Sequence, residues 1–246
     1  MIPQQLRDIA AVTILCLAAA NGHADSAPRI AIIIDDLGNQ LAAGQRAIAL
    51  PGPVVCAILP GTPGAASLAK TAYEHGKEVL LHLPLQAVGY NQPEPGGITL
   101  DMSRQRFSET FTSALESVPF AIGVNSHRGS LLTRHPGHMR WLMEDILAAD
   151  DLFFVDSFTT HQSVALQIAS EEGVPAIKRD VFLDADPHTL EREFERLKTL
   201  ARKRGLAVGI GHPYPATLAF LEHEIPRLVE EGIQLVSLRE LVEFPK

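Results

Sequence analysis

Cysteine is nearly absent from the 246 residues: there are two, Cys16 and Cys56, and only Cys56 lies beyond the N-terminal stretch. A disulfide framework is thereby excluded once that stretch is removed, and the fold must stand on an apolar core. Cys56 itself lies inside the run VVCAIL and reads as a small buried hydrophobe. Basic patches are missing too. The formal net charge is −8 and no basic stripe breaks it, which disfavours nucleic acid as a partner and leaves a neutral or amino-bearing polymer compatible. Neither a G-x-S-x-G elbow nor an H-E-x-x-H helix occurs, so the serine-hydrolase and zincin readings lack their defining elements. Gly61-Thr62-Pro63-Gly64 has no Gly-Lys-Ser/Thr ending and is a turn, not a phosphate loop. There is no low-complexity tract, internal repeat or domain linker. The apolar share of 46% and charged share of 20% are those of a globular domain.

The first apolar run, Ile9 to Ala20, follows Arg7 and ends in the small-residue stretch Gly22-His23-Ala24. It falls short of the roughly 20 residues a membrane-spanning helix needs. Residues 1–24 are therefore expected to be a signal peptide, with an uncleaved anchor as the alternative, and residues 25–246 a single exported, periplasmic domain. Leu15 before Cys16 does not fit a lipoprotein signal.

Apolar runs alternate with helically spaced segments through the rest of the chain. Strands are expected at 29–34, 54–59, 78–83, 121–125, 152–156, 176–181, 206–211 and 233–238. Helices are expected at 40–50, 64–75, 103–117, 136–149, 163–173, 187–204 and 215–231. Such βα repetition fits a closed or distorted (β/α) barrel or an open doubly wound sheet, and an α/β barrel of seven to eight parallel strands is the favoured reading. The long Gly- and Pro-rich connection 86–102 either borders a substrate or is a plain surface insertion.

In such folds the active site lies at the C-terminal strand ends. Polar residues gather there: Asp35 and Asp36, His82, Asn125 and His127, Asp156 and Ser157, Arg179 and Asp180, and His212. The Asp pair caps a helix or serves a cation, which would relieve the repulsion of adjacent carboxylates. His82 is either a core histidine or a ligand. One Asp with two His leaves open positions on a borderline metal such as zinc. Arg179 and Asp180 read as an ion pair, either orienting a catalytic base or bridging a strand end. Asp156 and Ser157 are candidates for a further ligand or a sugar-hydroxyl contact. His135 and His138, an H-x-x-H pair, fall at a helix start facing solvent.

The blocks IIIDDLG (32–38), LLHLPLQ (80–86), GVNSHRGS (123–130), FFVDS (153–157), KRDVFLD (178–184) and GIGHPYP (209–215), taken in order, resemble the divergent polysaccharide deacetylases. That family is similar to the larger superfamily of carbohydrate de-N-acetylases, and the resemblance implies a distorted barrel and metal-dependent removal of N-acetyl groups from an envelope polysaccharide. It implies Asp35 as base, Asp36, His82 and His127 as ligands of a divalent metal, zinc first, and His212 as the group protonating the leaving amine. Here the two histidines come from separate strands, whereas the superfamily commonly draws both from one H-x-x-x-H helix. Two other expectations stand beside this one: a glycan- or partner-binding barrel without catalysis, and a metal hydrolase of peptide amides or esters.

Overall fold

Ile30 through Ile34 are all fully buried. Five successive buried side chains in one strand require cover on both faces, which a parallel sheet with helices outside and a second core inside supplies. The computed structural model, which describes residues 27–89 and 94–242, shows that arrangement; the expected leader, 1–24, lies outside the described residues.

The strands are β1 (Arg29–Leu37), β2 (Val55–Ile58), β3 (Val79–Leu85), β4 (Ala121–Arg128), β5 (Phe153–Asp156), β6 (Ala176–Lys178), β7 (Val181–Phe182), β8 (Leu206–Gly211) and β9 (Gln234–Leu235). The helices are α1 (Leu41–Ile48), α2 (Ala65–Glu74), α3 (Arg104–Glu116), α4 (Pro136–Ala148), α5 (Ala165–Glu172), α6 (Leu190–Arg204) and α7 (Pro215–Glu224). Every strand pairing is parallel, in the order β6-β5-β4-β3-β2-β1-β8-β7, with β9 beside the start of β1.

The two ends of that path, β6 and β7, are separated by Arg179 and Asp180 alone. Three Cα steps reach at most about 11 Å, so the sheet has to curl until its ends nearly meet. The N–H of Arg179 still bonds the Asp156 carbonyl of β5, and that of Asp180 already bonds the Val208 carbonyl of β8. The barrel is thus closed by a step in the chain and not by a ladder. The expected single strand 176–181 is corrected here: it is two strands on opposite sides of the seam. The expected helix 215–231 also ends early, at Glu224, before a single tight turn Ile225–Leu228. Pro226 has no N–H to continue the helical bonding.

Side chains alternate along β1, and the two cores follow that alternation. Ile30, Ile32 and Ile34 face the helices, whereas Ala31 and Ile33 join Val55, Ala57, Leu80, Phe153, Val155, Val208 and Ile210 inside the barrel. Val236, Leu238, Leu241 and Val242 plug its lower end, where the Glu78 carboxylate accepts the backbone N–H groups of Leu238 and Arg239. Cys56 faces the helices, and burial pushes its thiol up to about 12. Among the described residues no helix is long and apolar enough to cross a membrane.

Candidate active site

The inward rows of the barrel run directly into the polar residues at its mouth. Ala31 and Ile33 lead to Asp35, Leu80 to His82, Val155 to Ser157, and Val208 and Ile210 to His212. Asp36 would point outward by this alternation, but its φ of 58°, within an irregularity of the β1–β2 pairing between Ile34 and Leu37, turns it to the same mouth. Gly38, at φ 127°, completes the turn against Thr62, where a Cβ would clash.

Asp36, His82 and His127 converge. The Asp36 Oδ1 lies 3.1 Å from His82 Nε2 and 2.9 Å from His127 Nδ1, and the two ring nitrogens are 3.1 Å apart. The outer face of each ring fixes its proton. The Asn125 Nδ2 donates to Asp35 Oδ1 at 2.8 Å, so the Asn125 Oδ1, 2.8 Å from His82 Nδ1, accepts that ring's N–H. The Glu94 Oε2 accepts from His127 Nε2 at 3.1 Å. Two ring nitrogens and a carboxylate then face one another at contact distance, an arrangement that repels unless a proton or a cation sits among them. The donor set therefore fits a divalent metal, each imidazole having the outer acceptor usual for a metal-bound histidine.

Asp35 and Asp36 are adjacent but differ in environment. Burial raises the Asp35 carboxyl above the usual carboxylate range, although His82, His212 and the Asn125 bond pull it back in part. For Asp36, burial acts in the same direction but is outweighed by hydrogen bonds and charge from His127 and His82, which hold it well below that range. Neighbouring carboxyls pushed apart in this way are suited to different tasks.

On the opposite wall, His212 Nε2 lies 3.8 Å from Asp36 Oδ2. Its Nδ1 donates to Asp184 Oδ1 at 2.8 Å, and its backbone N–H donates to Asp184 Oδ2 at 2.7 Å. The Thr217 hydroxyl completes the hold on Asp184 at 2.8 Å. Burial alone would lower the His212 pKa; the bond and charge of Asp184, with Asp35 and Asp36 beyond, raise it instead. A cavity of about 250 Å³ joins these groups, walled on one side by Phe182 and Ile210. The hydroxyls of Ser126 and Ser157 are buried at its edge without a hydrogen-bond partner among the described residues.

Of the residues anticipated from sequence, Asp35, Asp36, His82, Asn125, His127, Ser157, Arg179 and His212 are brought together here. Asp156 points into its own loop and accepts from Phe158 N–H and Ser163 Oγ at 2.8 and 2.7 Å, so it orders the β5–α5 turn. The expected Arg179–Asp180 ion pair is corrected. At the seam the two side chains point to opposite sides: Arg179 Nε and Nη2 donate to the Ser157 and Phe158 carbonyls at the cavity wall. Asp180 pairs outside with Arg204 at 2.9 Å. The His135/His138 pair is not a site either, since His138 Nε2 bonds the Leu100 carbonyl and its ring packs on Trp141.

Glu94 and Asp184 were not anticipated. Asp184 stands in the KRDVFLD block, two residues past the end of β7, and Glu94 is one of two carboxylates in the 86–102 connection. Its described part from Glu94 onward meets β3 through the Ile98–Leu85 bridge, and Glu94 reaches both His127 and Arg128, the latter at 2.5 Å. Glu94→Ala is expected to weaken metal affinity about 10–100-fold, as loss of an outer acceptor usually does. Competition with a coloured chelator measures this, and wild-type affinity in the variant would contradict the role.

Comparison with known proteins extends the geometry. An uncharacterized protein of Haemophilus influenzae is 38% identical over 215 residues, 87% of this chain and 76% of that one. An uncharacterized protein of Agrobacterium tumefaciens has a solved structure with a TM-score of 0.84 at 24% identity, covering 88% of this chain and 89% of that one. A solved peptidoglycan N-acetylglucosamine deacetylase shares the fold at a TM-score of 0.54 and 14% identity, over 89% and 90% of the two chains. The sequence profile that matches residues 32–242 is that of the divergent polysaccharide deacetylases. With nearly the whole described barrel inside that match, this chain belongs to the divergent polysaccharide deacetylase family.

Proposed function

We propose that this protein is a metal-dependent hydrolase that removes N-acetyl or related acyl groups from an envelope polysaccharide, after export to the periplasm. The observation that carries the reading is the triad of Asp36, His82 and His127, flanked by the buried carboxyl of Asp35 on one side and the Asp184-held imidazole of His212 on the other. Membership of a deacetylase family and the fold shared with an enzyme named for peptidoglycan N-acetylglucosamine support the same chemistry.

Asp36, His82 and His127 would hold a divalent cation, zinc being the first to test, which would supply Lewis-acid polarisation of the acyl carbonyl and acidify water. The chain's own groups do the rest. Asp35 takes a proton from the attacking water, and Asn125 fixes the carboxylate that does so. His212, protonated on Nε2 with Asp184 behind it, gives its proton to the departing amine. Phe182 and Ile210 offer an apolar wall to the acyl chain, while the free hydroxyls of Ser126 and Ser157 are donors for the sugar or the carbonyl. Water adds across the amide, leaving acetate and a free amine on the sugar, which stays in the polymer.

The test is acetate release from N-acetylated oligosaccharides by zinc-loaded protein, followed by chelation and reloading. Turnover is expected to disappear with the metal and return with it. Metal-loaded, folded protein that releases no acetate from a broad panel of acetylated glycans would sink the reading and leave a glycan-binding barrel.

A further inference from the structure

A second cavity, of about 260 Å³, shares the Asp36 wall with the first and lies between the β1–α1 and β8–α7 turns. Its lining includes Asn39, Gln40, Pro213, Tyr214 and Pro215. Neither Gln40 nor Tyr214 caps the helix it precedes with its side chain. Asn39 and Gln40 are exposed, so their amides are free for a ligand. Tyr214 stacks on His212 at 5.5 Å and 27°, while Phe182 packs on the same imidazole at 5.1 Å. More than half of Tyr214, 54%, nevertheless stays open to solvent. An aromatic residue this exposed, with planar amides beside it, is a poor feature for stability and a good one for a pyranose ring. The C–H face of the sugar lies on the aromatic face, and each amide offers a donor and an acceptor to neighbouring hydroxyls.

The position tells which part of a substrate would lie there. His212 faces the amine side of the scissile amide in the reading above, and Tyr214 is two residues further along the same turn. We propose that Asn39, Gln40 and Tyr214, framed by Pro213 and Pro215, form a saccharide subsite that holds the ring next to the one bearing the amide. The enzyme would then favour a linked N-acylated sugar over the N-acylated monosaccharide. This rests on the deacetylase reading for its orientation, though not for its existence.

The experiment uses the full chain, zinc-loaded, with N-acetylglucosamine and its β-1,4-linked oligomers as probes. Binding is followed by calorimetry and turnover by acetate release, for the wild type, Tyr214→Ala and Tyr214→Phe. Longer oligomers are expected to bind and react with an advantage over the monosaccharide that Tyr214→Ala cuts by about tenfold and Tyr214→Phe retains. Disturbance of His212 alone would slow all lengths equally, so the ratio of long to short isolates the subsite. Acetate release with the same length advantage in wild type and Tyr214→Ala overturns the subsite and leaves the reaction standing. Length-dependent binding abolished by Tyr214→Ala, without acetate release, upholds the subsite and overturns the reaction. Absence of both binding and turnover overturns the two together.

Discussion

Asp35→Asn is expected to lower kcat for acetate release by about 10²–10⁴-fold, the usual worth of a positioned general base, while metal affinity stays close to that of the wild type. The reason is the division of labour at the first strand end. The Asp35 Oδ1 is held by Asn125 and its carboxyl is buried, with Oδ2 3.6 Å from His82 Nε2. Asparagine preserves the shape and can still accept the Asn125 bond, so what is lost is the capacity to take a proton. Asp36→Ala should behave differently. Its oxygen is the anionic member of the triad, and its removal leaves two imidazoles without the carboxylate, so metal affinity and turnover fall together and by more than the Glu94 variant's loss. Metal content, chelator competition and single-turnover acetate release on the two variants separate the roles. Equal loss of metal in both would show that Asp35 is a ligand and not a base. The sign of the pH dependence follows from the same carboxyl. Burial raises it, so the acidic limb of the rate profile, where the base becomes protonated, should lie above the ordinary carboxylate range.

Much of this site was legible in the chain because a parallel barrel leaves a strong imprint. Each strand is a continuous apolar run ending in a polar residue, and the alternation that buries Ala31 and Ile33 carries Asp35 to the mouth. The strand ends therefore pointed to Asp35, His82, His127 and His212 without any knowledge of how the strands are ordered. The seam was not legible. AIKRDV is apolar and basic in a way that fits one strand, and nothing local says that Arg179 and Asp180 step from β5's side to β8's. Reading them as one extended pair also placed Asp180 at the site, whereas the seam sends it out to Arg204. The two acids that escaped notice, Glu94 and Asp184, act on histidines 33 and 28 residues away in sequence. Their roles come from tertiary contact, and a carboxylate in a Gly- and Pro-rich loop looks like any solvated acid until its partner is known.

The second large effect is expected at Asp184. Asp184→Asn should lower kcat by about 10²–10⁴-fold without removing the metal, because it alters the histidine that serves the leaving group and none of the triad. The Asp184 carboxylate accepts three hydrogen bonds, from His212 Nδ1, His212 N–H and Thr217 Oγ1. These place the imidazole with Nε2 toward the cavity and its proton on Nδ1 in the neutral state. An asparagine can accept two of them, but its amide NH₂ competes for the remainder and can turn the ring or select the other tautomer. The pH profile gives an independent sign. His212 must be protonated to deliver a proton to the amine, so turnover falls as pH rises through its pKa. Asp184 contributes to raising that pKa, against the burial that lowers it. Its neutralisation therefore moves the alkaline limb to lower pH. A purely structural Asp184 would reduce the amount of folded protein and leave the limb where it is. The metal Kd, the melting temperature and the alkaline limb, measured on one preparation, tell the two apart.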